Sequence, residues 1–255
     1  MFKFFIFNLY IKNLYFNILR NLIDFMNKVS SNIIIISLGG SLIVPKEINI
    51  KYLRKFKEII LRQIKKGKKF IIFCGGGKTA RKYMDAVSGI SGLTKDDVDW
   101  LGIYSTILNA HLLRTIFKEH SSPDIVRDPT KKISYEHKII FASGWKPGWS
   151  TDYDAVLMAK NIGAKEIINL SNIDYVYDKD PKKYKDAKPI KKISWKEFRK
   201  IAGNEWKPGL NLPFDPVASK EAERIGLKVI IMNGSNLENF EKYLNKEEFI
   251  GTVIE

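Results

Sequence analysis

Two glycine loops, each placed where an apolar run ends, constrain this chain more than any other feature. Ser37-Leu38-Gly39-Gly40-Ser41 follows Ile33-Ile34-Ile35-Ile36, and Cys74-Gly75-Gly76-Gly77-Lys78-Thr79-Ala80-Arg81 follows Phe70-Ile71-Ile72-Phe73. Short β-branched and aromatic runs bounded by glycine read as buried strands. Glycine then lets bare backbone approach an anion and aim several N–H groups at it, and a following helix N-terminus adds positive potential. Lys78 and Arg81 put cations beside the second loop, where Arg can grip a phosphate with paired N–H bonds. For Gly39-Gly40 taken alone a tight strand-to-helix turn is the preferred reading, but three consecutive glycines with two cations exceed what a turn requires. Two phosphorylated ligands are expected. Neither loop has Walker A spacing or the G-x-G-x-x-G pattern, so the standard nucleotide fingerprints are missing.

The flanking segments alternate between strand and helix signals. Residues 50–66 carry apolar side chains at Leu53, Phe56, Ile59, Ile60 and Ile64, a helical period closed by Gly67. Helices are expected at 80–87 and 97–118, the second with Thr94 and Asp97 at capping-box spacing. Strands are expected at 124–126, 138–142, 167–170, 227–232 and 252–254. Further helices are expected from Ser150 or Thr151 to about 161, at 194–201, after Asp215-Pro216, and at 237–244. Residues 171–189 read as a long polar loop, of the kind that is usually functional, and 208–213 as irregular. This order argues for an α/β fold, a mainly parallel sheet sandwiched between helices in three αβα layers, with ligands at the carboxyl ends of the strands.

Composition narrows the class. The 255 residues, 45% of them apolar, suffice for one large α/β domain or two small ones. The net charge of +15 is spread over expected helix faces without an aromatic-basic cluster, so it reads as a solvated lysine surface and no nucleic-acid partner is expected. Cys74 is the single cysteine, which rules out an intrachain disulfide and fits a reducing cytoplasm. His111, His120 and His137 lack ligand spacing. Residues 1–25 form a distinct extension rich in Phe, Ile, Leu, Tyr and Asn. Asn8, Lys12, Asn13, Asn17 and Arg20 interrupt it well short of the roughly 18–20 residues a membrane span requires, so no membrane partner is expected. It lacks the cleavage site of a signal peptide. An amphipathic surface helix would suit Asn13, Asn17, Arg20, Asn21 and Asp24; the preferred alternative is a translation start at Met26, leaving 26–255 as a single domain.

From Ile33 onward the ordered motifs resemble the amino acid kinase family, and within it the uridylate kinases of archaeal type. The matching pieces are Leu38-Gly39-Gly40-Ser41-Leu42, Gly75-Gly76-Gly77-Lys78-Thr79-Ala80-Arg81-Lys82-Tyr83, Asp99-Trp100-Leu101-Gly102-Ile103 with Asn109-Ala110, and Pro147-Gly148-Trp149-Ser150-Thr151-Asp152. They continue with Asn172-Ile173-Asp174-Tyr175-Val176-Tyr177, Asp180-Pro181-Lys182 and Phe214-Asp215-Pro216. The resemblance implies phosphoryl transfer from ATP to UMP with Mg²⁺, by a homohexamer or other homo-oligomer. It implies an acceptor-binding N-terminal half and an ATP-binding C-terminal half. Gly39, Gly40 and Ser41 would hold the transferring phosphoryl group. Gly76, Gly77 and Arg81 would hold the UMP phosphate, and Asp99, Gly144, Ser150 and Thr151 the rest of UMP. Asn172, Tyr177, Asp180 and Pro181 would surround adenine and ribose. Asp152, as the magnesium ligand, and Asp215 would organise the centre, although Asp215 and Thr151 could equally be helix caps and Asp180-Pro181 a turn.

Three positions depart from the family pattern. Ser37 stands where many members have Lys, which leaves Lys78, Lys146 or another cation to meet the transferring group. Tyr175 replaces Gly, and Ser143-Gly144-Trp145 replaces a more glycine-rich turn. Competing readings are another phosphotransferase of the same fold, such as an acylating amino acid kinase or isopentenyl phosphate kinase, which has a His where this chain reads Lys78-Thr79-Ala80-Arg81, and a non-catalytic nucleotide-dependent metal-oxide store or nucleotide sensor on the same scaffold.

Overall fold

Both apolar runs before the glycine loops fold as strands of one sheet. The computed structural model describes residues 33–87, 89–181, 183–203 and 213–255. The 1–25 extension, Met26, Lys182 and all but the last residue of the irregular stretch expected at 208–213 lie outside the described residues. Strands β1 (Ile33–Leu38), β2 (Lys69–Cys74), β3 (Ile139–Ala142), β4 (Glu166–Ser171) and β8 (Lys228–Asn233) are mutually parallel. The sheet is completed by β9 (Thr252–Ile254), antiparallel to β8, and β7 (Lys192–Ile193), parallel to β9. The spatial order is β3-β2-β1-β4-β8-β9-β7. The chain builds outward from β1 in one direction and, after β3, in the other. This puts the topological switch, where open α/β sheets hold ligands, at the carboxyl ends of β1 and β4.

Alternation along the strands divides the core into two. Ile36 and Leu38 face Phe56 and Ile60 of α2 (Ile50–Lys65), Leu113 of α4 (Lys95–Ile116) and Phe240 of α8 (Leu237–Leu244). Ile33 and Ile35 face Ala155, Val156 and Met158 of α5 (Thr151–Ile162), Phe198 of α6 (Trp195–Ala202) and Ala218 and Ala222 of α7 (Pro216–Arg224). The sheet is therefore covered on both sides, as its continuous apolar strands require. Helix starts follow local chemistry: Thr94 and Asp97 form the expected capping box, Ser150 rather than Thr151 caps α5, and Asp215 caps α7 with Pro216 next.

Three expectations differ from the structure. Residues 124–126 make no strand; single bridges join Ser121 to Ile139 and Val126 to Ala142. Pro123 and Pro129, which have no N–H to donate, bracket a stretch too short for a ladder. The loop at 171–189 contains a small hairpin of β5 (Val176–Tyr177) and β6 (Pro189–Ile190), pinned where Val176 N–H donates to Thr252 Oγ1 at 2.8 Å. The helix expected at 80 starts at Gly77, as α3 (Gly77–Val87), and a short turn of helix, α1 (Gly40–Ile43), opens directly inside the first loop.

Candidate functional site

The two glycine loops meet each other, backbone against backbone. A Cβ on Gly40 would lie 2.1 Å from the Gly77 nitrogen, and one on Gly77 would lie 2.2 Å from the Gly40 oxygen. Gly75 is equally closed to a side chain, its Cβ position falling 2.5 Å from the Gly40 nitrogen. Gly77 also holds φ at +65°, a backbone state that favours glycine. Three backbone bonds fasten the arrangement: Gly39 N–H to Leu170 O at 2.9 Å, Gly75 N–H to Leu38 O at 2.9 Å and Lys78 N–H to Val44 O at 3.0 Å. Asn109 of α4 donates through Nδ2 to Gly75 O at 2.7 Å, holding the second loop from behind.

Beside the first loop stands Asp152, in the first turn of α5. Ser37 Oγ and Asn169 Nδ2 both donate to its Oδ1, at 2.7 and 2.9 Å. Ser37 and Asn169 are direct partners in the β1–β4 register, and alternation turns both toward α5. Two polar residues, one near the end of each apolar strand, thus make a single cradle. Burial pushes the Asp152 carboxyl up to about 6 and the nearby Asp215 adds to this, while the bonds from Ser37 and Asn169 favour the ionised form. Asp215 is buried, and its Oδ1 accepts from Val217 N–H at 2.6 Å and Ala218 N–H at 2.8 Å, so this oxygen serves as a helix cap beside the centre.

The loop at 143–150 rims the site. Gly144 N–H donates to Thr106 Oγ1 at 2.8 Å, Trp145 N–H to Asp154 Oδ2 at 3.0 Å, and Gly148 N–H to Asp99 Oδ2 at 2.8 Å. Lys146 Nζ lies 4.2 Å from the centroid of Trp145 and 4.1 Å from that of Trp149, a cation held between two indoles. Burial pushes the Asp154 carboxyl up to about 8, opposed by the Trp145 N–H and Lys146 and reinforced by Asp215 and Asp152.

The expected residues divide into two groups. Gly39, Gly40, Ser41, Gly76, Gly77, Gly144, Ser150, Thr151, Asp152 and Asp215 sit on the glycine loops, on the rim loop or at the starts of α5 and α7. Asp99 reaches that rim through Gly148. Arg81 is exposed on α3, one turn beyond the second loop. Asn172, Tyr177, Asp180 and Pro181 lie on the segment leaving β4, tied to β8 where Asn233 Nδ2 donates to Asp174 Oδ1 at 3.0 Å. Tyr175 lines a separate cavity with Asn236, Asn239, Lys242 and Phe249. Sequence reading missed Asn169, Thr106 and the part played by Ser37; for Ser37 and Asn169 the signal was a polar residue interrupting an otherwise apolar strand, and Thr106, inside helix α4, carried none. Among the described residues no group of three or more His, Cys, Asp or Glu could hold a metal by itself, and no helix is long and apolar enough to cross a membrane.

A model of the amino acid kinase family matches residues 32–233. The uridylate kinase of Methanobrevibacter smithii is 34% identical over 224 residues, covering 87% of this chain and 98% of that protein. The uridylate kinase of Methanocaldococcus jannaschii is 36% identical over 234 residues, covering 87% and 99%. Among solved structures, uridylate kinase from Archaeoglobus fulgidus superposes with a TM-score of 0.75 at 29% identity, over 87% of this chain and 99% of that one.

Proposed function

The chain belongs to the amino acid kinase family, and from that premise we propose that it is a uridylate kinase, moving the terminal phosphoryl group of ATP to UMP to give ADP and UDP. The observation that carries this reading is the contact between the two glycine loops, because a donor and an acceptor phosphate held by touching loops are already neighbours. Gly39, Gly40 and Ser41 hold the transferring group; Gly76, Gly77 and Arg81 hold the UMP phosphate. Asp99, Gly144, Ser150 and Thr151 follow the rest of UMP in the N-terminal half. Asn172, Tyr177, Asp180 and Pro181 follow adenine and ribose in the C-terminal half.

The chemistry needs no general base. A phosphate monoester has a second pKa of about 6, so near neutral pH UMP already presents a nucleophilic oxygen. Positioning and charge neutralisation remain for the protein to supply. Backbone N–H groups of the two loops and the Arg81 guanidinium orient the phosphates. Asp152 suits magnesium that arrives on the nucleotide: Ser37 and Asn169 hold its carboxylate through one oxygen, and Mg²⁺ commonly takes one or two protein carboxylates together with phosphates and water. When bound, the ion would draw charge from the transferring group. Asp215 acts at one remove, by fixing the start of α7 beside Asp152.

An oligomer of this chain has a surface on which to form. Trp100, Tyr104 and Leu108 lie one turn apart on the outside of α4, 37%, 60% and 62% exposed. A second copy packed antiparallel along this stripe would bring Asp96 and Asp97 of one helix near Arg114 of the other, opposite charges at both ends. A cytoplasmic site of action accords with the buried free thiol of Cys74. The decisive assay couples ADP release to a panel of acceptors. UMP should turn over clearly faster than CMP, AMP, acetylglutamate or isopentenyl phosphate, and faster turnover of any other member would overturn the acceptor assignment.

A further inference from the structure

Asp154 occupies a costly position. It is the fourth residue of α5, fully buried, and its neighbours Ala155, Val156, Met158 and Ala159 are all buried and apolar. Its Oδ1 has no hydrogen-bond partner, although burying an unpaired carboxyl oxygen is unfavourable. An aliphatic side chain would suit this packing better. The Oδ2 of Asp154 accepts from the Trp145 N–H at 3.0 Å.

That contact has reach. Trp145 stacks edge-on with Trp149 at 5.1 Å between ring centres, Trp149 meets Tyr153 of α5 at 4.5 Å, and Lys146 lies between the two indoles. The rim loop is therefore fastened to α5 twice, by a backbone bond to Asp154 and by rings against Tyr153. Asp152 immediately precedes those two anchors on the same helix, held in turn by Ser37 and Asn169 of the sheet. We infer that Asp154 is a positioning residue that locks the 143–150 loop to the helix carrying Asp152, and so sets where UMP sits relative to the transferring phosphoryl group. The inference rests on the assignment of that loop to UMP.

The test compares Asp154→Asn, which keeps an oxygen for the Trp145 N–H, with Asp154→Leu, which fills the space and removes it. Amide hydrogen exchange reports the lock without any substrate. Asp154→Leu should lose protection in the peptide containing residues 144–148 and raise the KM for UMP about tenfold, the effect of one lost hydrogen bond to a buried partner. Its KM for ATP should stay within about twofold on the same scale. Asp154→Asn should restore both the protection and the UMP KM. Unchanged protection in Asp154→Leu, or equal losses for the two nucleotides, would overturn the inference. If the wild-type protein does not use UMP, the acceptor assignment fails, while the exchange comparison still decides whether Asp154 holds the loop.

Discussion

Replacing Gly40 by Ala tests whether the two loops are locked together as described. The added carbon would sit 2.1 Å from the Gly77 nitrogen and 2.5 Å from the Gly75 carbonyl carbon, where ordinary contact begins at 3.4 Å. Both obstacles are backbone, so no side chain can rotate away. The loops must separate by more than 1 Å, straining the bonds from Gly75 N–H to Leu38 O and from Lys78 N–H to Val44 O. Overpacking of about 1–3 kcal/mol, with about 1 kcal/mol for a weakened hydrogen bond, gives a loss of roughly 3 kcal/mol. For a chain of this size that lowers Tm by roughly 6–12 °C. Phosphates displaced by about 1 Å react on the order of 100-fold more slowly, so kcat should fall by that much. Gly163→Ala is the control: φ is +69° at the end of α5, with nothing within 4 Å of a Cβ. It should cost about 1 kcal/mol and leave turnover alone. Differential scanning fluorimetry and the coupled ADP assay read both variants. A Gly40→Ala protein that melts no lower than Gly163→Ala and turns over at the wild-type rate would refute the interlocked arrangement.

Arg81→Ala should raise the KM for UMP by roughly 10–100-fold, the worth of a charge-assisted contact, with ATP affinity by calorimetry unchanged; loss of ATP binding instead would reverse the two loop assignments. Asp152→Asn should lower kcat on the order of 100–1000-fold while both nucleotides still bind, and a wild-type kcat would remove Asp152 from the centre. In metal-free protein, Asp152 and Asp154 titrate higher folded than unfolded, about 6 and about 8 against an ordinary 3.8. The folded state then holds protons that the unfolded state has released, so these groups make stability fall as pH rises from about 4 to about 8. Asp154→Asn should flatten the upper part of that decline in urea titrations between pH 6 and 8, and an unaltered slope would show that Asp154 is ionised throughout.

How much of this was legible depended on range. The strand preceding each glycine loop, the Thr94–Asp97 box and the Asp215 cap were readable because periodicity and capping act within a few residues. The expected strand at 124–126 failed because two prolines outweighed a short apolar run. Gly40 was expected to face a phosphate, but its first constraint is Gly77, a contact that exists only once β1 and β2 are paired. The purpose of Asn169 was hidden for the same reason. Within its own strand it is one polar residue in an apolar run, and its purpose emerges from the parallel register that seats it beside Ser37. Asp154 carried no signal apart from its spacing to Asp152, since nothing local shows that the Trp145 amide returns to it.

The bridges at Ser121 and Val126 affect more than the description of a missing strand. They lay a proline-containing segment along the open side of β3, while at the opposite margin β7 has only two residues, one of them the exposed Lys192. A sheet of long apolar strands would otherwise offer its unpaired amides to any passing chain, the usual route to strand-by-strand aggregation. With both borders blunted, copies of this protein are steered away from edge-to-edge growth and toward closed contacts through their helices.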